Sequence, residues 1–217
     1  MLLHEKYRPS TWSDVVGQDK VVKVIRSFGN KTGYGGRAYF ISDASGSGKT
    51  TIARLIAAEV ANPICIEEMD ASELTAERMR EISANIHQYG WGKGGKAYIV
   101  NEVHGLSAPT VRRLLCLLEP DRGGIPSHIV FVFTTTVDGL DLFEDHINAS
   151  PLFSRCTCLS LARRDVAQPF AARVRECLAK DGMNGQPIDW YIKLARECKN
   201  NMRAMYELAE RRIAEES

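Results

Sequence analysis

Asp43-Ala44-Ser45-Gly46-Ser47-Gly48-Lys49-Thr50 joins an apolar run to an amphipathic stretch. Small residues ending in Gly-Lys-Thr, between a strand and a helix, form the phosphate-loop pattern. Its chemistry lies in the backbone: successive N–H groups turn inward around phosphates, and the helix start adds partial positive charge. Ser45, Gly46, Ser47, Gly48, Lys49, Thr50 and Thr51 are the expected nucleotide contacts. Lys49 reaches the β- and γ-phosphates, and the Thr50 hydroxyl is an expected Mg²⁺ ligand. Asp43 stands where the pattern has its first glycine. A carboxylate there is awkward beside phosphates and stiffens a backbone that glycine would leave free.

A second constellation is Ala97-Tyr98-Ile99-Val100-Asn101-Glu102, four apolar residues ending in a polar pair. That is the layout of a Walker B strand, in which an Asp holds the Mg²⁺ shell and a Glu polarises water. Asn101 keeps the shape and an acceptor oxygen of the Asp but not its charge, and Glu102 is in place. His104 is read as a packing or hydrogen-bonding residue at a strand end.

These residues need a scaffold of alternating strands and helices. Expected strands are Ala38–Ile41, Ile64–Ile66, Ala97–Val100, His128–Phe133 and Cys156–Leu161. A helix runs from Lys49 with Ile52, Leu55 and Ile56 on one face, and another carries Met79, Ile82, Ile86 and Tyr89. A third centres on Val111, Leu114, Leu115 and Leu118, and Gly90 to Gly95 is a loop. The alternation predicts an α/β fold with a parallel sheet flanked by helices. After Leu161 the pattern is helical alone. Asp165 with Gln168 resembles a capping box, Gly182 ends that helix, and Pro187 suits the first turn of the next. A third helix starts near Asn201. The expected division is a nucleotide-binding core over 1–162 and a three-helix lid over 163–217.

Composition narrows the class. The 217 residues are 44% hydrophobic and 25% charged, with 28 Lys and Arg against 27 Asp and Glu. A formal charge of +1 predicts neither nucleic-acid nor membrane binding globally, so any basic surface must be local. No apolar run approaches the roughly 20 residues that span a bilayer. MLLHEKYRPS has no long apolar stretch, so a secretory signal is not expected. The six cysteines lack the paired spacing of a zinc site, which leaves reduced thiols in a cytoplasmic protein as the reading.

Several ordered motifs resemble the clamp-loader ATPases of the AAA+ class, above all bacterial DNA polymerase III gamma/tau subunits and then replication factor C small subunits. Glu5 to Gln18 resembles the N-terminal signature, Glu68-Met69-Asp70-Ala71-Ser72 the second-strand ending, and Glu102 to Ser107 the extended Walker B. Thr134-Thr135-Thr136 falls at sensor 1, Ser154-Arg155-Cys156 at the Ser-Arg-Cys motif, and Asn201-Met202-Arg203-Ala204 at sensor 2. The resemblance implies an AAA+ P-loop core followed by a lid. It places Tyr7, Arg8, Pro9, Val15 and Val16 around adenine and Thr135 at the γ-phosphate. Arg155 would act in trans on a neighbour's ATP, and Arg203 would contact phosphates from the lid.

The implied function is an ATP-binding, ATP-hydrolysing motor subunit of a sliding-clamp loader in DNA replication. ATP or ADP and Mg²⁺ are the expected ligands, without zinc. Other clamp-loader subunits, the sliding clamp and primer-template DNA are the expected partners, with a pentamer expected of a full-length chain. Asp43 and Asn101 predict weakened turnover. The alternatives are a non-hydrolysing nucleotide-binding structural subunit and a branch-migration or recombination ATPase. The family's zinc insertion and helical collar have no counterpart here, so the expectation is a truncated chain or a minimal relative. The stretch from Val137 to Phe153 is longer than the family's usual link. Asp145 or Glu144 would partner Arg155 if it only made a local salt bridge. Arg112 and Arg113 are read as a solvated face, and Trp12, Trp91 and Trp190 as packing residues.

Overall fold

The computed structural model describes residues 1–119, 124–136, 141, 150–162, 164–183 and 185–216. Most of the Val137 to Phe153 stretch, including Glu144 and Asp145, lies outside them. Five strands, β1 (Arg37–Ser42), β2 (Ala61–Asp70), β3 (Gly95–Asn101), β4 (Ile129–Thr135) and β5 (Cys156–Ser160), form one sheet. Its order is β2-β3-β4-β1-β5, with every neighbouring pair parallel. The central strands read as unbroken apolar runs because both faces are covered, and β4 is buried along its whole length.

The helices are α1 (Leu3–Lys6), α2 (Asp19–Thr32), α3 (Lys49–Val60), α4 (Ala76–Ala84), α5 (Ala108–Leu118), α6 (Ser150–Phe153), α7 (Ala167–Lys180), α8 (Ile188–Glu197) and α9 (Met202–Glu216). Successive strand residues point to opposite faces. Tyr39, Ile41, Ile99, Val130 and Val132 therefore pack with Ile25 of α2 and Ile52 and Ile56 of α3. Phe40, Tyr98, Val100, Phe131 and Phe133 pack on the other face with Met79, Ile82 and Leu114 of α4 and α5. A third buried cluster joins Phe170, Val174 and Leu178 to Tyr191, Leu194, Met205 and Tyr206, and Leu3 of α1 belongs to it.

Residues 1–18 bridge the sheet and the last three helices. Lys6 pairs with Asp181, and the Tyr7 hydroxyl donates to Asp181 Oδ1 at 2.8 Å. Trp12 turns the other way, donating to Glu59 of α3 at 2.7 Å and stacking near Tyr34. Gln18, only 3% exposed, clasps the chain where it leaves the sheet. Its Nε2 donates to Ala162 O at 3.2 Å, and its Oε1 accepts from Ala162 N at 2.7 Å. Gly17, at φ +71, fits because a Cβ would lie 3.0 Å from Phe170 and 3.2 Å from Val166.

Four local expectations change. β2 runs ten residues, not three, because Ile66 to Asp70 pair with Ala97 to Asn101. As an edge strand it tolerates the charged Glu67 and Glu68. Tyr89 leaves the α4 face: the helix ends at Ala84, and Tyr89 is 74% exposed with its ring 4.2 Å from that of His128. The capping box at Asp165 does not form, since Asp165 turns left-handed at φ +59 and Val166 is the N-cap without a side-chain bond. Pro187 is the N-cap of α8, one position before its first turn.

Candidate nucleotide-binding site

β1 delivers the phosphate loop to the carboxyl end of the sheet. Asp43 is buried, and its N–H donates to Thr135 O at 3.3 Å, which ties the loop entry to β4. Gly48 is the N-cap of α3 at φ +103, and Lys49 opens the helix. Lys49 is 7% exposed, and its Nζ donates to Asp43 O at 3.0 Å and Ala44 O at 2.8 Å. The ammonium thus lies inside the curl of its own loop. Ser47 Oγ closes the curl on Ala44 O at 2.9 Å.

A cleft of about 170 Å³ opens over this loop, between the sheet and the last helices. Ser45 to Thr51 line it, joined by Glu102 from the turn after β3 and Arg203 from α9. Tyr7, Arg8, Pro9, Val15 and Val16 line it from the N-terminal segment. Loop, small residues, buried ammonium and helix N-terminus make a donor set that fits a polyphosphate. Burial, and after it the charge of Arg54, hold the Arg8 guanidinium below its ordinary value.

Glu102 enters the cleft by a backbone turn. It sits at φ +52, ψ +51, a left-handed conformation that costs a non-glycine residue about 1–3 kcal/mol. The turn ends β3 and points the side chain away from the strand line. Its Oε2 is buried and lies 3.5 Å from His104 Nδ1, which is 3.1 Å from Thr135 Oγ1. The same ring nitrogen thus bonds Thr135 and lies near Glu102, whose Oε2 makes no hydrogen bond.

Asn101 and Thr135 do not line the cleft. Asn101 Nδ2 donates to Glu68 Oε1 at 3.0 Å, and its Oδ1 accepts from Thr134 Oγ1 at 2.9 Å. Arg54 grips the same Glu68 through two hydrogen bonds of 2.6 and 3.1 Å. Both ends of the Asn101 amide are thus engaged in a chain running from Arg54 to Thr134. Arg155 is also elsewhere, beside the outer strand β5. It holds Glu119 through Nε at 3.0 Å and through a second guanidinium nitrogen, and donates to Pro151 O at 2.8 Å. Arg112 is exposed on α5. Among the described residues, no cluster of His, Cys, Asp and Glu is arranged to hold a metal.

The helical side reaches the loop directly. Met202 N donates to Gly46 O at 3.3 Å, and Asn201 Oδ1 caps α9 by accepting from Ala204 N at 3.1 Å. A Cβ on Gly46 would fall 1.9 Å from that Oδ1, so the contact requires glycine there. His4, Asp14, Phe170, Arg173, Met202 and Tyr206 also line the cleft and were not expected as site residues. Their signal is helical spacing: Phe170 with Arg173, and Met202 with Tyr206, each share a face. Phe170 reads as core from sequence alone.

No protein-family model matches the chain. Over 237 aligned residues it is 30% identical to the DNA polymerase III subunit tau of Escherichia coli K12, covering 98% of this chain and 34% of that one. Over 158 residues it is 35% identical to the DNA polymerase III subunit gamma of Buchnera aphidicola from Schizaphis graminum, covering 62% of this chain and 42% of that one. In structure it is similar to the Thermotoga maritima RuvB Holliday junction branch migration motor. That likeness has a TM-score of 0.73 at 20% identity, over 94% of this chain and 64% of that chain. The chain has an AAA+ fold and is similar in sequence to the gamma and tau subunits of DNA polymerase III over part of their length. It spans well under half the length of the two curated relatives described. At 20% identity the RuvB likeness establishes the fold alone. This AAA+ chain carries its expected loop, Glu102 and Arg203 in one cleft, and keeps Arg155 outside it.

Proposed function

We propose that this chain binds ATP in the cleft and hydrolyses it as a motor subunit of a sliding-clamp loader in DNA replication. One observation carries the reading. Lys49 and Thr50 from the loop, Glu102 from the turn after β3 and Arg203 from α9 meet in a single cleft that also has apolar lining. Lys49 and Arg203 neutralise charge on the phosphates, and Glu102 orients the attacking water. Thr50 would hold Mg²⁺, which supplies further neutralisation when bound with the nucleotide. Arg155, just before the edge strand β5, serves a neighbouring subunit's site. The similarity to the gamma and tau subunits of DNA polymerase III supports other clamp-loader subunits, a sliding clamp and primer-template DNA as partners, in the cytoplasm. A core over 1–162 and a lid over 163–217 remain the working division.

A second reading is favoured by Asn101. Its amide is engaged on both sides and carries no charge, which suits a subunit that binds nucleotide without turning it over. Equilibrium titration with ATP, followed by turnover assays with and without clamp and primed DNA, separates the two. The expected result is micromolar binding and turnover that rises with clamp and DNA. Wild-type protein that fails to bind ATP would remove both readings. Binding without turnover in any combination of subunits, clamp and DNA would select the second.

A further inference from the structure

Arg173 lines the cleft with one of its guanidinium nitrogens buried and unsatisfied. It lies on α7 one turn beyond Phe170, on the face that closes the cleft, and its side chain is 16% exposed. A guanidinium carries five N–H donors, and burial is costly for each one left without an acceptor. Its ion pair is long: Nη1 stands 3.5 Å from Glu176 Oε2, and Glu176 is also held by Lys180 at 2.6 Å. Arg173 Nε is buried without any hydrogen-bond partner. Asp14 lines the same cleft but directs its Oδ2 to Thr11, whose N–H and Oγ1 donate at 3.1 and 2.7 Å.

The cleft offers both charged and apolar lining: Lys49 and Arg203 bring positive charge, and Val15, Val16, Phe170 and Tyr206 bring apolar surface. A heteroaromatic base suits that surface: its faces stack on apolar groups while its edges still need hydrogen bonds. The nucleobase edge can supply a further acceptor to the Arg173 guanidinium, whose contact with Glu176 is long. Purines present the N7 acceptor, beside the N6 amino donor in adenine and beside O6 in guanine, so a guanidinium can make a single bond to adenine N7 and a paired one to guanine. Pyrimidines have no such ring nitrogen.

We propose that Arg173 reads the base, donating to purine N7 and so selecting purine over pyrimidine nucleotides. The inference rests on the nucleotide reading of the cleft and adds a residue to it. Arg173 acts on the base and leaves the phosphates to Lys49 and Arg203.

The test measures equilibrium affinity of the full chain for ATP, 7-deaza-ATP and inorganic tripolyphosphate, with wild type, Arg173→Met and Arg173→Gln. Wild type should hold ATP about tenfold more tightly than 7-deaza-ATP, the scale of one hydrogen bond to a charged donor. Both variants should bind ATP only as well as wild type binds 7-deaza-ATP, with discrimination between the two lost and tripolyphosphate affinity unchanged. Equal affinity of wild type for ATP and 7-deaza-ATP would overturn the proposal, and it needs no variant to fold. So would variants that keep the wild-type ratio, or that lose tripolyphosphate as strongly as ATP. Failure of wild type to bind ATP and tripolyphosphate alike would instead bring down the nucleotide site itself.

Discussion

Lys49 carries the sharpest residue-scale expectation. It is buried, it begins α3, and its Nζ donates to two backbone carbonyls of the loop, so truncation removes a positive charge from the loop's interior. Lys49→Ala should weaken ATP binding by at least about a hundredfold in calorimetric titration, since the phosphates lose a buried counter-charge. Asn101→Asp brings two effects that oppose each other. It adds a Mg²⁺-attracting charge, which should lower the Mg²⁺ needed for turnover. It also sets a carboxylate where an amide now donates to Glu68 at 3.0 Å, exchanging a hydrogen bond for like-charge repulsion. Urea unfolding should show a loss of about 1–2 kcal/mol, whether or not turnover rises. At this scale the sequence displays the loop and Glu102 plainly, because backbone chemistry dictates small residues and Gly-Lys-Thr. It does not display Arg173 or the hydrogen bond between His104 and Thr135. Both depend on which distant elements come together.

Among the elements, the alternation of strands and helices makes the parallel sheet legible, and apolar runs locate its central strands. Edges and ends are less legible. β2 is longer than its apolar run because backbone pairing with β3 continues through charged residues. The start of α7 follows a left-handed turn at Asp165 and not a side-chain cap. The junction of α1 with the last helices offers a pH test. The hydrogen bond from Lys6, and next that from Tyr7, hold the Asp181 carboxyl below its ordinary value. A carboxyl lowered by folding contributes stability above its unfolded pKa and loses it as pH falls through the folded value. Asp181→Asn should therefore remove part of the acid-side fall in thermal midpoint between pH 7 and 3, with no change in slope above pH 7. An acid limb identical to that of wild type would show that the pairing adds nothing. Just before β5, Arg155→Ala should cost about 1 kcal/mol or less in stability, because Arg155 and Glu119 are both partly exposed.

For the whole molecule, the edge position of Arg155 matters more than its ion pair. If it serves a neighbour, Arg155→Ala and Glu102→Gln chains, each inactive alone, should regain turnover when mixed. Intact mass with nucleotide and Mg²⁺ should show the assembly in which they do so. A finger of this kind supplies about 10³ to 10⁵ in rate, so isolated chains should turn over slowly. Wild-type turnover in Arg155→Ala under assembling conditions would assign the residue to Glu119 alone. The strap formed by the N-terminal segment sets a further limit. Tyr7 is anchored to Asp181 beyond α7, and Trp12 to Glu59 on α3, with five peptide steps between the anchors. Fully drawn out, that length of chain spans about 17 Å. The mouth of the cleft thus has a mechanical stop: its jaws part only as far as the leash from Tyr7 to Trp12 allows, unless an anchor lets go. Lengthening Arg8-Pro9-Ser10-Thr11 with inserted glycines would widen the gape that a pair of spin labels across the mouth could record.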